Sequence, residues 1–260
     1  MLKILKYSFF DLMRSRWSYV YFGFYLLLGL VLLFLNNDLS KAVITLMNVI
    51  IVLVPLIGSI FGIMYYYNSR EFTELLLAQP LKRSTIFLGQ YFGVALSLSM
   101  SLVLGLGIPF IFYGLFKCAI IWDFALLLIT GTFLTLIFSA LAFNIGLSNE
   151  NKIKGFGYAI LLWLFLAIIY DGIFLMSLII FEDYPLDKLS LAGIMINPID
   201  LSRTLILLKL DISALLGYTG AIFKQFFGTN LGLFISFSML SIWVILPVLR
   251  IVYKSKKKDF

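Results

Sequence analysis

Histidine is absent from the 260 residues, and cysteine occurs once, as Cys118. Without imidazole there are no His metal ligands, no Ser-His or Cys-His nucleophile pair and no HExxH protease helix. A single thiol cannot form an intrachain disulfide. No GxxxxGK[ST] loop is present to cradle nucleotide phosphates, and no GxSxG elbow to present a serine. No catalytic residue, metal ligand or cofactor is therefore expected of this polypeptide by itself. Charge is scarce too, at 13% of residues, where a soluble domain carries about 25%.

What the chain has in excess is apolar surface, 62% of residues. No single core buries that much, and it is laid out in runs such as 19–35, 42–67 and 231–249. Each run approaches the ~20 residues that carry a helix across about 30 Å of hydrocarbon. The expectation is an all-α integral membrane protein, one domain over 1–260, with six spans near 17–35, 42–67, 86–116, 120–147, 155–181 and 231–252. No cleavable signal pattern is read in the opening residues. Residues 1–16 are amphipathic: Leu2, Leu5, Phe9, Leu12 and Met13 fall on one stripe, with Lys3, Lys6, Asp11 and Arg14 opposite. They read as a helix lying in the membrane interface, the alternative being a plain charged tail. Trp17, Tyr19 and Tyr21 follow at the depth of an aromatic belt.

The net charge of +7 does not point to nucleic acid, because the basic residues cluster at the ends of apolar runs. With the N-terminus inside, 14 of the 20 Lys and Arg residues face the cytoplasm and 6 lie outside. Both termini are thus expected in the cytoplasm, in a cell membrane. Residues 182–230 are mixed in character, with a turn signal at Asn197-Pro198 and an amphipathic run over 201–208. They read as an external, lid-like segment holding one or two short helices.

Two stretches invite a functional reading. Between spans two and three, residues 68–84 offer an N-cap at Asn68 or Ser69, then Glu71 and Glu74 at the positive helix end, and Pro80 to stop the helix. Phe72, Leu75, Leu76 and Gln79 share one side. The segment reads as a short helix on the cytoplasmic face, available to a partner or simply resting on lipid. In span five, Asp171 is an ionisable group in apolar surroundings, so it is either a functional group or solvated near the outer interface. With no basic residue deep in another span, a watery cavity, a polar partner such as Asn144, or a protonated acid is expected around it. Small-xxx-small pairs at Gly58/Gly62, Gly89/Gly93 and Gly228/Gly232 suit close helix contacts and a dimer interface. The methionines are scattered without helical pairing, which fits packing better than copper ligation.

The stretch REFTELLLAQPLKRSTIFLGQY resembles the ABC-2 class of ABC-transporter permeases. The amphipathic N-terminal helix, which would be that class's elbow helix, and the six spans match as well. The resemblance implies a homodimer seated on two cytoplasmic ABC ATPase subunits. It makes residues 70–80 a coupling helix, with Arg70, Glu71, Phe72, Glu74, Leu75, Leu76, Gln79 and Pro80 at the contact. NPIDLSRTLILL (197–208) and LLWLFLAIIYDGIFL (161–175) are similar to the permeases serving maturation of the copper enzyme nitrous oxide reductase. That likeness implies an external partner docked on 182–230, with Asn197, Pro198, Asp200 and Arg203 as docking candidates. An ABC-2 exporter of lipid, polysaccharide or a toxic compound stays open, as do, in other classes, an intramembrane enzyme and a scaffold.

Overall fold

A single extended residue, Ser15, separates the first two helices, α1 (Leu2–Arg14) and α2 (Arg16–Leu35); its hydroxyl accepts from the Ser18 amide and caps α2. The computed structural model describes residues 1–36, 38–117, 120–181, 187–209 and 230–257, and every regular element among them is helical. Next come α3 (Leu39–Asn68), α4 (Arg70–Leu77), α5 (Arg83–Phe112), a 3-10 turn (Leu115–Lys117) and α6 (Ile121–Ser148). The fifth apolar stretch is α7 (Lys152–Leu164), a π-helical turn (Phe165–Ile169) and α8 (Tyr170–Ile180) in continuous sequence. Then follow α9 (Asp187–Ile196), α10 (Pro198–Lys209) and α11 (Asn230–Lys257).

Six of these units are long and apolar enough to cross a membrane: α2, α3, α5, α6, the α7–α8 stretch and α11. Their positions follow the apolar runs, with one shift. α5 stops at Phe112, short of the expected 116, because Gly114 has φ of 95° and turns the chain out of the helix.

Glycines set how closely the helices approach. A Cβ on Gly62 would lie 2.9 Å from that of Ala142, and one on Gly58 3.4 Å from that of Phe138, so α3 and α6 run parallel in contact. A Cβ on Gly89 would meet Ile4 at 2.9 Å, and one on Gly93 would meet Ser8 at 2.6 Å. Thus α1 packs along the start of α5, burying Ile4, Ser8 and Leu12. The pairs Gly58/Gly62 and Gly89/Gly93, expected to suit a dimer interface, are filled by helices of the same chain; Gly228 lies outside the described residues.

Cross-contacts fix the directions. Phe133 meets Phe237, and Asn144 meets the Pro247 carbonyl, so α6 and α11 are parallel. Trp163 donates to the Val52 carbonyl and Tyr67 to that of Asn149, so α7 runs against α3. With α2 parallel to α5 through Tyr25 at Gly105 and Pro109 at Gly29, the six long units alternate in direction. The start of α1, the 68–84 loop, residues 149–151 and the end of α11 consequently gather at one end of the bundle, here called the basic face.

The segment between span five and α11 corrects the expectation of an external lid. Residues 190–196 of α9 and 198–208 of α10 meet at 116°, so the chain turns back on itself. At 1.5 Å per residue these helices are only about 15 and 18 Å long, too short to cross. They form a hairpin packed against the spans, made of the two short helices expected of this segment. Leu201, Leu205 and Ile206 on α10 are buried among α3, α6 and α11. Residues 182–186 and 210–229 of the expected external segment lie outside the described residues.

Candidate coupling face and intramembrane polar cluster

α4 begins at Ser69, which occupies the N-cap position without a side-chain capping bond; Glu71 sits in the first turn. Two anchors hold the helix against the bundle. The buried Thr73 hydroxyl donates to the Ser69 carbonyl at 2.8 Å and accepts from Gln90 Nε2 at 2.8 Å. Gln90 is on α5 and almost fully buried, so this bond ties α4 directly to a spanning helix. On the other flank, Phe72 stacks on Tyr7 of α1, with centroids 4.4 Å apart and planes 25° from parallel. The Phe72 ring therefore fixes α4 to α1, where the pattern had grouped it with a partner-facing side. Thr73, Gln90 and Tyr7 were missed in the sequence; a lone Gln inside an apolar span was the available signal.

Facing away from the bundle are Arg70, Glu71, Glu74, Leu75, Gln79 and Pro80, while Leu76 is half-buried. Leu75 is 68% exposed, an apolar side chain on an otherwise charged surface. Arg70 Nε donates to Glu74 Oε1 at 3.0 Å across one helical turn. The second loop of the basic face joins on, with Lys152 Nζ donating to Asn68 Oδ1 at 3.0 Å.

The second constellation lies inside the bundle. Asn197 sits at the hairpin turn, buried, and uses both ends of its amide. Its Oδ1 accepts from the Ile199 amide at 3.0 Å and so caps α10. Its Nδ2 donates to the Leu166 carbonyl at 2.7 Å and to Asp200 Oδ2 at 2.8 Å. Leu166 belongs to the π turn, whose wider helix leaves a carbonyl open to a donor from the side. One and a half turns along α10, Arg203 Nη1 reaches Asp171 Oδ2 at 2.9 Å and Asp200 Oδ1 at 3.6 Å. On α9, the Gly193 carbonyl accepts from the Tyr170 hydroxyl at 2.6 Å, and Phe174 lies across the open side of Gly193.

These contacts overturn two readings. Asp171 is not without a cation: the hairpin brings Arg203, counted as external, back to it. Asn144 is not its polar partner, since its amide donates to the Ala140 and Pro247 carbonyls. Asn197, Pro198 and Asp200, candidates for docking an external partner, are buried in the bundle, and only Arg203 is partly open. A chain reversal that buries the 197–200 turn leaves it no surface to offer. No group of three or more Cys, Asp or Glu that suits a metal ion occurs among the described residues.

No family model matches the chain. Over 134 residues it is 28% identical to a "Probable ABC transporter permease protein NosY" of Stutzerimonas stutzeri, covering 50% of this chain and 49% of that protein. Over 149 residues it is 27% identical to the protein of the same description from Pseudomonas aeruginosa, covering 54% and 53%. The chain resembles ABC-transporter permeases described as NosY. It spans about half the length of these curated relatives in the match.

In this NosY-like chain the two constellations do different physical work. The α4 surface presents exposed charge around one exposed leucine, which suits reversible recognition. The Asn197–Asp200–Arg203–Asp171 chain of bonds is drawn in from water, although Asp200 Oδ1 accepts no hydrogen bond, and it clamps the hairpin to span five.

Proposed function

We propose that this chain is the transmembrane permease subunit of an ATP-driven ABC transporter. It works as a homodimer whose two α4 helices seat two cytoplasmic ABC ATPase subunits. The likeness to NosY permeases supports the class, and the outward set Glu71, Glu74 and Leu75 supports the docking role. Movement of the ATPases presses on α4, passes through Thr73–Gln90 into α5 and through Phe72–Tyr7 into α1, and reaches the far side through the bundle. On this reading the basic face is cytoplasmic, both termini lie there, and the protein resides in the inner membrane. The finer assignment is maturation of nitrous oxide reductase at its copper site, with a NosD-like protein on the outer side. It rests on the same likeness, and no copper site in this chain is invoked.

The observation that carries the proposal is α4 itself, pinned to two helices yet charged and leucine-bearing on its free side. Changing Glu71→Lys together with Glu74→Lys reverses the outward charge and leaves the spans intact. Removing a desolvated charge contact costs about 2–5 kcal/mol, against well under 1 kcal/mol at a rim. The expected result is normal membrane level, loss of the co-purifying ATPase and loss of ATP-dependent function. Full ATPase retention in that variant would remove α4 as the coupling element. Phe72→Ala is expected to act differently, weakening coupling by releasing α4 from Tyr7 while the outward surface remains.

A further inference from the structure

Between the hairpin turn and the last span, a cavity of about 430 Å³ opens to the outside of the bundle. Leu141, Ile196, Trp243 and Leu246 make apolar walls, and Ile196 and Leu246 are exposed at its rim. Asn144, 6% exposed, lies at its inner wall; with its amide nitrogen used on two carbonyls, its Oδ1 has no partner. Arg250 closes the end nearest the basic face, exposed and in no ion pair among the described residues. One turn on, Lys254 Nζ donates to the Asn144 carbonyl at 3.2 Å and to the Ser148 hydroxyl.

Depth identifies the occupant. From Leu231 to Arg250 the helix rises about 28 Å, close to the ~30 Å thickness of the hydrocarbon. Arg250 and Lys254 therefore stand at headgroup level on the basic face, while the apolar walls lie at acyl depth. A planar guanidinium with an ammonium one turn away matches a phosphate diester. We propose that this groove is a site for an anionic phospholipid of that leaflet, phosphatidylglycerol being the fitting form. One acyl chain lies against Trp243 and Leu246, and the phosphate is on Arg250, with the charge of Lys254 one turn away beside it. Because Ile196 forms one wall, the bound chain also buttresses the hairpin turn. A second copy of this chain fits poorly here, since a two-fold contact would set Arg250 and Lys254 against their own copies.

Trp243 reports on the site directly. The full-length protein is reconstituted in phosphatidylcholine bilayers containing increasing fractions of phosphatidylglycerol brominated on its acyl chains. Quenching by this lipid is compared with quenching by phosphatidylcholine brominated in the same way. The Trp243 signal is isolated by difference from Trp243→Phe. The site predicts an apparent affinity for phosphatidylglycerol at least fivefold above phosphatidylcholine, the attraction of about one basic side chain for an anionic lipid. Arg250→Gln is expected to bring the two lipids to near parity, and Lys254→Gln to lower the preference in part. Equal quenching by both lipids in the unaltered protein overturns the proposal. So does absence of Trp243 quenching by either lipid, the outcome if a second copy covers the groove. Should Arg250→Gln fail to fold, the two-lipid comparison on the unaltered protein decides the matter alone.

Discussion

Arg70 holds Glu74 at 3.0 Å, and Arg203 holds Asp171 at 2.9 Å. The bond lengths match, but the surroundings differ. The first pair joins residues one turn apart on α4, with both side chains more than half exposed. The second joins residues 32 apart in sequence, with both side chains less than a third exposed. An exposed helical pair contributes about 0.3–0.5 kcal/mol, since water solvates either charge as well as its partner does. A charge left without its partner where the protein screens it from water costs about 1–3 kcal/mol, so the same bond becomes a structural requirement once the hairpin brings the two residues together. Location, not length, sets what each pair does: one is free to exchange partners, and the other holds a fold.

The sharpest break of that contrast is Arg203→Gln. It leaves Asp171 and Asp200 without their cation and is expected to destabilise the protein by about 3 kcal/mol, read as a large fall in the thermal unfolding midpoint in detergent. Adding Asp171→Asn to that variant is expected to recover part of the loss, because the stranded charge goes with it. A single variant as stable as the parent protein would make the clamp ornamental.

Next in size is Asn197→Ala, which removes the α10 cap and leaves the Leu166 carbonyl without its side-chain donor. A loss of about 1–3 kcal/mol is expected, confined to the hairpin and measurable as faster amide exchange over residues 190–205. Uniform change across the bundle would instead mean that the hairpin and spans open together.

Thr73→Val keeps the shape at the α4–α5 contact but strands the buried Gln90 Nε2. About 1–2 kcal/mol is expected, together with weaker transmission from bound ATPase to function at unchanged ATPase binding. Loss of binding itself in this variant would place Thr73 in the docking surface rather than beneath it.

The smallest effect belongs to Arg70→Ala. Its stability change is expected to stay within about 0.5 kcal/mol, with no resolvable shift in unfolding midpoint. A drop comparable to that of Arg203→Gln would show that the α4 surface is not open to solvent as the monomer has it.

Much of the architecture was legible because it depends on composition within one segment. The six apolar runs, a short helix α4 between spans two and three, and the amphipathic α1 each follow from local pattern; the cap expected at Asn68 or Ser69 is not made, and α4 ends at Leu77, three residues before Pro80. The partners were not legible. Gly89 and Gly93 announced a close contact but not with which helix, and α1, expected at the interface, proved to fill it with Ile4 and Ser8. Phe72 fell on the pattern's outward side, yet an aromatic ring from 65 residues earlier in the chain took it up. Asp171 was left without a cation, because Arg203 reaches it only after the chain reverses at Asn197.

What the sequence by itself determined is the solvent of this protein and the list of helices that cross it. Transfer of apolar residues into hydrocarbon is a sum over each segment and needs no knowledge of neighbours. The basic residues at run ends likewise marked one face. Only the tertiary structure decided that residues 187–209 enter the bundle instead of covering it, and that Asp171 has a partner. The links that hold the hairpin run to the carbonyls of Leu166 and Gly193, and every residue has a carbonyl; its use depends on where a π turn or a close helix contact presents it. Local pattern reports which groups prefer water or oil, whereas a polar group at membrane depth is stable only when a remote part of the chain arrives to satisfy it.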